Sequence, residues 1–143
     1  MKGVLKTRVE VKVPFHDVDP AGIAWHGHYF KYLELARCAL LERVGYSYRE
    51  MADSGYVWPL SDARLRFVKP ALFDQPLIVE AALTEWEYRL QIDYRIRDVD
   101  GTEMTRGTTV QVPVKMDTRE MVMGVPDFVI ERIEAAIARE EGE

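Results

Sequence analysis

Apolar and polar residues alternate over residues 7–15. Val9, Val11, Val13 and Phe15 share one face, and Arg8, Glu10 and Lys12 the other. This predicts a half-buried strand. Pro20 and Gly22 punctuate the polar stretch that follows. From about Gly27 to Val44 the period becomes helical, with Tyr29, Leu33, Ala36, Leu40 and Val44 in phase and Phe30, Cys38 and Leu41 widening the apolar surface. Such a helix is expected to be buried on most sides, and Gly45 is placed to end it. Ser47 and Glu50 form the S-x-x-E start of a short second helix that Gly55 could close.

Alternation returns over 62–69 (Ala63, Leu65, Phe67), 77–86 (Leu77, Val79, Ala81, Leu83) and 88–97 (Leu90, Ile92, Tyr94, Ile96). Asp100-Gly101 predicts a hairpin into a strand over 103–116, with Val110, Val112, Val114 and Met116 in phase. Pro126 then opens a last amphipathic helix carrying Phe128, Ile130, Ile133 and Ile137. Late strands joined by short connections favour antiparallel pairing. The expected architecture is α+β: one antiparallel sheet curled around a long apolar helix, in a single domain over 1–143.

Composition narrows the function. With 143 residues and 48% hydrophobic content, the chain can bury a core without staples. A net charge of −5 and no long basic run argue against nucleic acid. One cysteine, Cys38, excludes an internal disulfide and fits a reducing, cytoplasmic setting. No signal peptide or apolar run of spanning length is visible, so no membrane insertion is expected. Arg139-Glu140-Glu141-Gly142-Glu143 reads as a solvated, frayed end.

All three histidines, His16, His26 and His28, fall within thirteen residues, with Asp17 and Asp19 between them. The segment joins the first strand to the start of the long helix. A helix start leaves N–H groups unpaired and carries partial positive charge, so it can hold an incipient oxyanion. A carboxylate folded back beside it would complete the needs of acyl transfer. The same residues also admit plainer readings: Asp as a helix cap or turn former, or His26-x-His28 with Asp17 or Asp19 as metal ligands. HxH brings both rings together only in extended chain, which disfavours the metal. GxSxG, Walker A, CxxC and HExxH motifs are absent.

The stretch F-H-D-V-D-P-A-G-I-A-W-H-G-H-Y-F-K-Y-L-E-L-A-R resembles the signature of the hot-dog-fold thioesterases of the 4-hydroxybenzoyl-CoA thioesterase family, as do R-F-V-K-P-A-L-F-D-Q-P-L and Glu85-Trp86. The resemblance spans about residues 8 to 120. It implies a hot-dog fold and hydrolysis of acyl-CoA thioesters without a cofactor or metal. It makes Asp19 the catalytic carboxylate, leaves Asp17 structural, and assigns the oxyanion contact to the His26 N–H. His at position 26 resembles the Tol-Pal-associated acyl-CoA branch, whereas Pro-Ala-Gly after Asp19 resembles the 4-hydroxybenzoyl-CoA enzymes. Arg89 falls where the family holds CoA phosphates. A homodimer or homotetramer with a shared site is implied, with acyl-CoA or an acyl carrier protein as the thioester's carrier. Two alternatives stay open: a dehydratase or isomerase on acyl-thioesters, and a non-catalytic acyl-CoA or acyl-carrier-protein binding module.

Overall fold

The computed structural model describes residues 5–142. Residues 1–4, part of the stretch read as lacking a signal peptide, and Glu143, the last residue of the end read as frayed, lie outside the described residues. Seven strands and three helices follow in the order β1 (Leu5–Lys12), α1 (Tyr29–Val44), α2 (Tyr48–Asp53), β2 (Tyr56–Val57), β3 (Leu60–Phe67), β4 (Pro76–Glu85), β5 (Leu90–Arg97), β6 (Glu103–Gln111), β7 (Val114–Lys115) and α3 (Asp127–Glu141). Five strands make one antiparallel sheet in the order β1-β4-β5-β6-β3, and α1 lies across one face of it. No helix is long and apolar enough to cross a membrane among the described residues.

The core lies between α1 and the sheet. Leu77, Val79, Ala81 and Leu83 of β4 and Leu90, Ile92, Tyr94 and Ile96 of β5 are all buried there, as their alternation predicts. Several expectations need correction. The first strand ends at Lys12 rather than Phe15, because Pro14 lacks an N–H; Phe15 opens a 3-10 turn and is 76% exposed. The helix begins with a 3-10 turn over His26–His28 and becomes α-helical at Tyr29. It buries a single stripe (Tyr29, Tyr32, Leu33, Ala36, Arg37, Leu40, Leu41, Val44), while Leu35 faces outward. One sheet covers one helix face, so burial on most sides is not reached within one chain.

The face of β6 toward α1 is also the opposite of the one expected. Ile96, Tyr94, Ile92 and Leu90 stand beside Thr105, Gly107, Thr109 and Gln111, so those four face α1 and Val110 does not. Crowding explains it: a Cβ on Gly107 would come within 3.1 Å of both Leu33 and Leu65. Some of the buried hydroxyl and amide groups find partners, while Thr105 Oγ1 and Gln111 Oε1 have none among the described residues. Tyr94 bonds Thr109 at 2.9 Å, and Gln111 Nε2 donates to the Trp58 carbonyl at 2.8 Å. Val112-Pro113 then breaks the strand, and β7 pairs with β2 instead of extending β6.

The predicted helix ends hold to within a residue. Gly45 adopts φ 78° at the end of α1, and Ser47 Oγ accepts from the Glu50 N–H at the start of α2. Pro126 caps α3 one residue before its first turn. Arg139 and Glu140 are not frayed: Arg139 Nη2 donates to the Arg43 carbonyl at 3.2 Å, and Glu140 pairs with Arg43, tying α3 to α1.

Candidate active site

The segment between β1 and α1 is held by a short backbone ladder. Ala24 donates to the Ala71 carbonyl at 2.8 Å, Phe73 to Gly22 at 3.1 Å, and Trp25 to Asp17 at 2.9 Å. Within it, Asp19-Pro20-Ala21-Gly22 forms a tight turn. Gly22 takes φ 79°, and its N–H donates to the Asp19 carbonyl. Asp19 Oδ1 accepts from the Ala21 N–H at 2.8 Å, an Asx-type contact that aims the carboxylate. Its Oδ2 has no hydrogen-bond partner among the described residues.

Asp19 and His26 line one pocket of about 260 Å³, together with Ile23, Ala24, Tyr29, Phe67, Val68, Lys69 and Pro70. His26 sits on the first residue of the 3-10 turn, so its N–H and that of Gly27 precede the repeating helical bonds. Gly27 lies tight under the Trp25 ring. A Cβ would lie 2.0 Å from the Trp25 indole, whose ring packs against His26 (4.8 Å) and His28 (5.4 Å). The helix dipole adds partial positive charge at this end. The result is a carboxylate and a helix start facing a small, largely apolar cavity.

Asp17 is placed quite differently. It is 2% exposed, with Lys31 Nζ at 2.6 Å from Oδ1 and Tyr32 OH at 2.7 Å from Oδ2. His16 and His28 approach within 3.6 and 3.8 Å. Burial pushes its carboxyl up, but hydrogen bonds from Lys31 and Tyr32 and the charges of Lys31 and His28 outweigh it, so the net shift is downward. Burial and the same carboxylate push Tyr32 far up. Asp17 therefore pins the loop to α1 and does not line the pocket. Among the described residues, no group of three or more His, Cys, Asp or Glu side chains is arranged to hold a metal.

Arg89 is not brought to this pocket. It lies in the turn between β4 and β5, half exposed, with its Nε 3.0 Å from Glu85. Conversely, Tyr29, Phe67 and Lys69 line the pocket without having been singled out as site residues. The block R-F-V-K-P-A contains two of them. Its position at the end of an outer strand, opposite the helix start, was the signal that could have found them. Tyr29 also ties this segment to α1, its OH accepting from the Ala71 N–H at 3.3 Å.

A family model described as the thioesterase-like superfamily matches residues 13–133. YneP of Bacillus subtilis, provisionally named an acyl-CoA thioesterase, is 22% identical over 113 residues, which cover 78% of this chain and 82% of that protein. The solved structure of a DHNA-CoA thioesterase from Staphylococcus aureus has a TM-score of 0.81 at 23% identity and covers 96% of this chain and 95% of its own. That of a 1,4-dihydroxy-2-naphthoyl-CoA thioesterase from Synechocystis has a TM-score of 0.80 at 22% identity, covering 93% and 96%.

Proposed function

The chain belongs to the thioesterase-like superfamily and has its hot-dog fold, and from that premise we propose that it hydrolyses acyl-CoA thioesters with Asp19 as the reacting carboxylate. One observation carries the assignment: Asp19, and not Asp17, opens onto the pocket at the helix start. The thioester carbonyl oxygen accepts from the His26 N–H. Asp19 attacks the carbonyl carbon, or removes a proton from the water that does. The tetrahedral oxyanion is stabilised at the helix terminus and collapses with loss of thiolate. In the first case the acyl group is left on Asp19 as an anhydride, which water cleaves to release the acid and restore the carboxylate; in the second the acid forms directly. A thiol with a pKa near ~8.5 leaves without a strong general acid, so one carboxylate and backbone donors suffice. The His26 imidazole orients substrate or water. Release of free CoA from a panel of acyl-CoAs tests the reading; tight binding without turnover would oppose it.

The arrangement needs no metal. Chelator at millimolar concentration should leave hydrolysis unchanged, whereas a stoichiometric metal whose removal stops turnover would replace this mechanism.

A homodimer or homotetramer fits the same reading. β3 is one of the two outer strands of the sheet, and its Leu60 and Phe67 are 47% and 50% exposed. An uncovered edge with apolar side chains asks for a partner. Phe67 also lines the Asp19 pocket, so a partner on this edge would border the site. Sedimentation at micromolar concentration should give a dimer or tetramer; a fully active monomer would remove the shared site.

Arg89 is our candidate contact for the CoA phosphates, reached from a neighbouring subunit. A remote phosphate contact contributes mainly uniform binding. Arg89→Ala should therefore raise KM for acyl-CoA with little change in kcat, and should scarcely affect a short thioester lacking the nucleotide. An unchanged KM would exclude Arg89. The same pocket would accept an acyl group presented by an acyl carrier protein, and comparing the two carriers distinguishes them. A cytoplasmic location and a single domain over 1–143 complete the proposal.

A further inference from the structure

The face of the sheet turned away from α1 carries charge that hydrolysis does not use. Arg66 of β3 stands opposite Arg106 of β6, which stands opposite Arg95 of β5. The row continues through Glu80 of β4 to Arg8 of β1. Three arginines thus lie side by side on adjacent strands, at steps of about 4.8 Å. Arg64 lies two residues along β3, opposite Thr108. Like charges directly opposite each other destabilise a sheet, and a chain of net charge −5 has no compositional reason to gather them.

Local carboxylates neutralise only part of this row. Arg106 pairs with Glu103, and Arg64 lies 3.3 Å from Asp62. Arg66 and Arg95 have no carboxylate within 4.0 Å among the described residues. Arg64, Arg66, Arg95 and Arg106 border a shallow basin of about 530 Å³ with Asp93 and Thr108. There Thr108 Oγ1 donates to Asp93 Oδ1 at 3.1 Å.

We propose that this basin binds a nucleoside di- or triphosphate at a site separate from the thioester pocket. Guanidinium forks engage phosphate oxygens in pairs, and three on long side chains can converge on a di- or triphosphate. Asp93 and Thr108 supply an acceptor and a hydroxyl suited to ribose. The volume is that of a small-molecule site. Glu80 interrupts the row beyond Arg95, and Glu103 lies three residues along β6 from Arg106, which disfavours a long polyanion. A second copy docked face to face about a two-fold axis over β6, the centre of the three, would set arginine row against arginine row. The substrate's own nucleotide would have to cross to the other face of the sheet to reach it: Phe67 lines the Asp19 pocket on the helix side, and neighbouring Arg66 projects from the opposite face of the same strand.

Calorimetric titration of the full chain with ADP and ATP at low salt tests the proposal, with adenosine and inorganic sulfate as controls. ADP should bind, adenosine should not, and affinity should fall steeply with salt. The double variant Arg66→Ala/Arg95→Ala should weaken ADP at least tenfold, keep the KM for acyl-CoA, and show an equal or higher Tm without ligand, since like charges are removed. Arg66→Gln, which keeps most of the side chain, should weaken ADP in the same direction. ADP binding no tighter than sulfate, or unchanged in folded variants, would overturn the site. A matching rise in the acyl-CoA KM would overturn its separateness, by showing that CoA's own nucleotide sits there.

Discussion

Asp19→Asn is expected to lower kcat at least ~10²-fold while leaving the fold and CoA affinity nearly intact. The amide is close to isosteric, and its oxygen can still accept from the Ala21 N–H, so the turn that aims the side chain survives. What disappears is the capacity to attack a carbonyl or take a proton. The side chain is only half-buried and carries no ion pair, so little stability rests on it. Steady-state kinetics with thermal unfolding of the same sample separates the two effects. A nearly silent Asp19→Asn, with Asp17→Asn the more damaging to kcat, would reverse the assignment.

Asp17→Ala should do the opposite, costing stability first. The carboxylate is buried and accepts from both Lys31 and Tyr32, and its loss leaves the buried Tyr32 hydroxyl without its acceptor. Removing one partner of a buried, charge-assisted network costs about 3 kcal/mol, the low end of its range because Lys31 is half exposed. In a domain of this size that lowers Tm by roughly 10 °C. The pH dependence has a definite sign. The folded-state pKa of Asp17 lies below its unfolded value near ~3.9. Its stabilisation is therefore complete above that value and is lost as pH falls through it toward the folded pKa. The wild type and Asp17→Asn should thus differ most near neutral pH and converge in acid. A gap that widened on acidification would contradict the assigned ion pair.

The fold was legible wherever one side of an element meets the core. Strands β4 and β5 alternate cleanly because α1 covers one of their faces and leaves the other polar. On β6 the pattern misled. Val110 and its neighbours look like the inward set, but the helix passes so close at Gly107 that small and hydroxyl residues occupy the core face. The outer strand β3 was found by alternation, yet its apolar side chains remain open in a single chain, a fact no periodicity reveals. At the site, His and Asp clustering pointed to the loop whose Asp19 and His26 line one pocket. The resemblance already set Asp17 apart from Asp19, but the physical reason for Asp17's structural place is the position of Lys31 and Tyr32, one turn into a helix, which local spacing does not report. Lys69 and Phe67 reach the pocket from a strand end about forty residues away in sequence, and local spacing does not report such a meeting.

The most direct test is product analysis after turnover of an acyl-CoA in water enriched in oxygen-18. Hydrolysis requires free CoA and free acid in equal amounts, with label from solvent in the carboxyl group of the acid. An intact thioester, whether merely bound or converted to a dehydrated or isomerised acyl-CoA, would contradict the account.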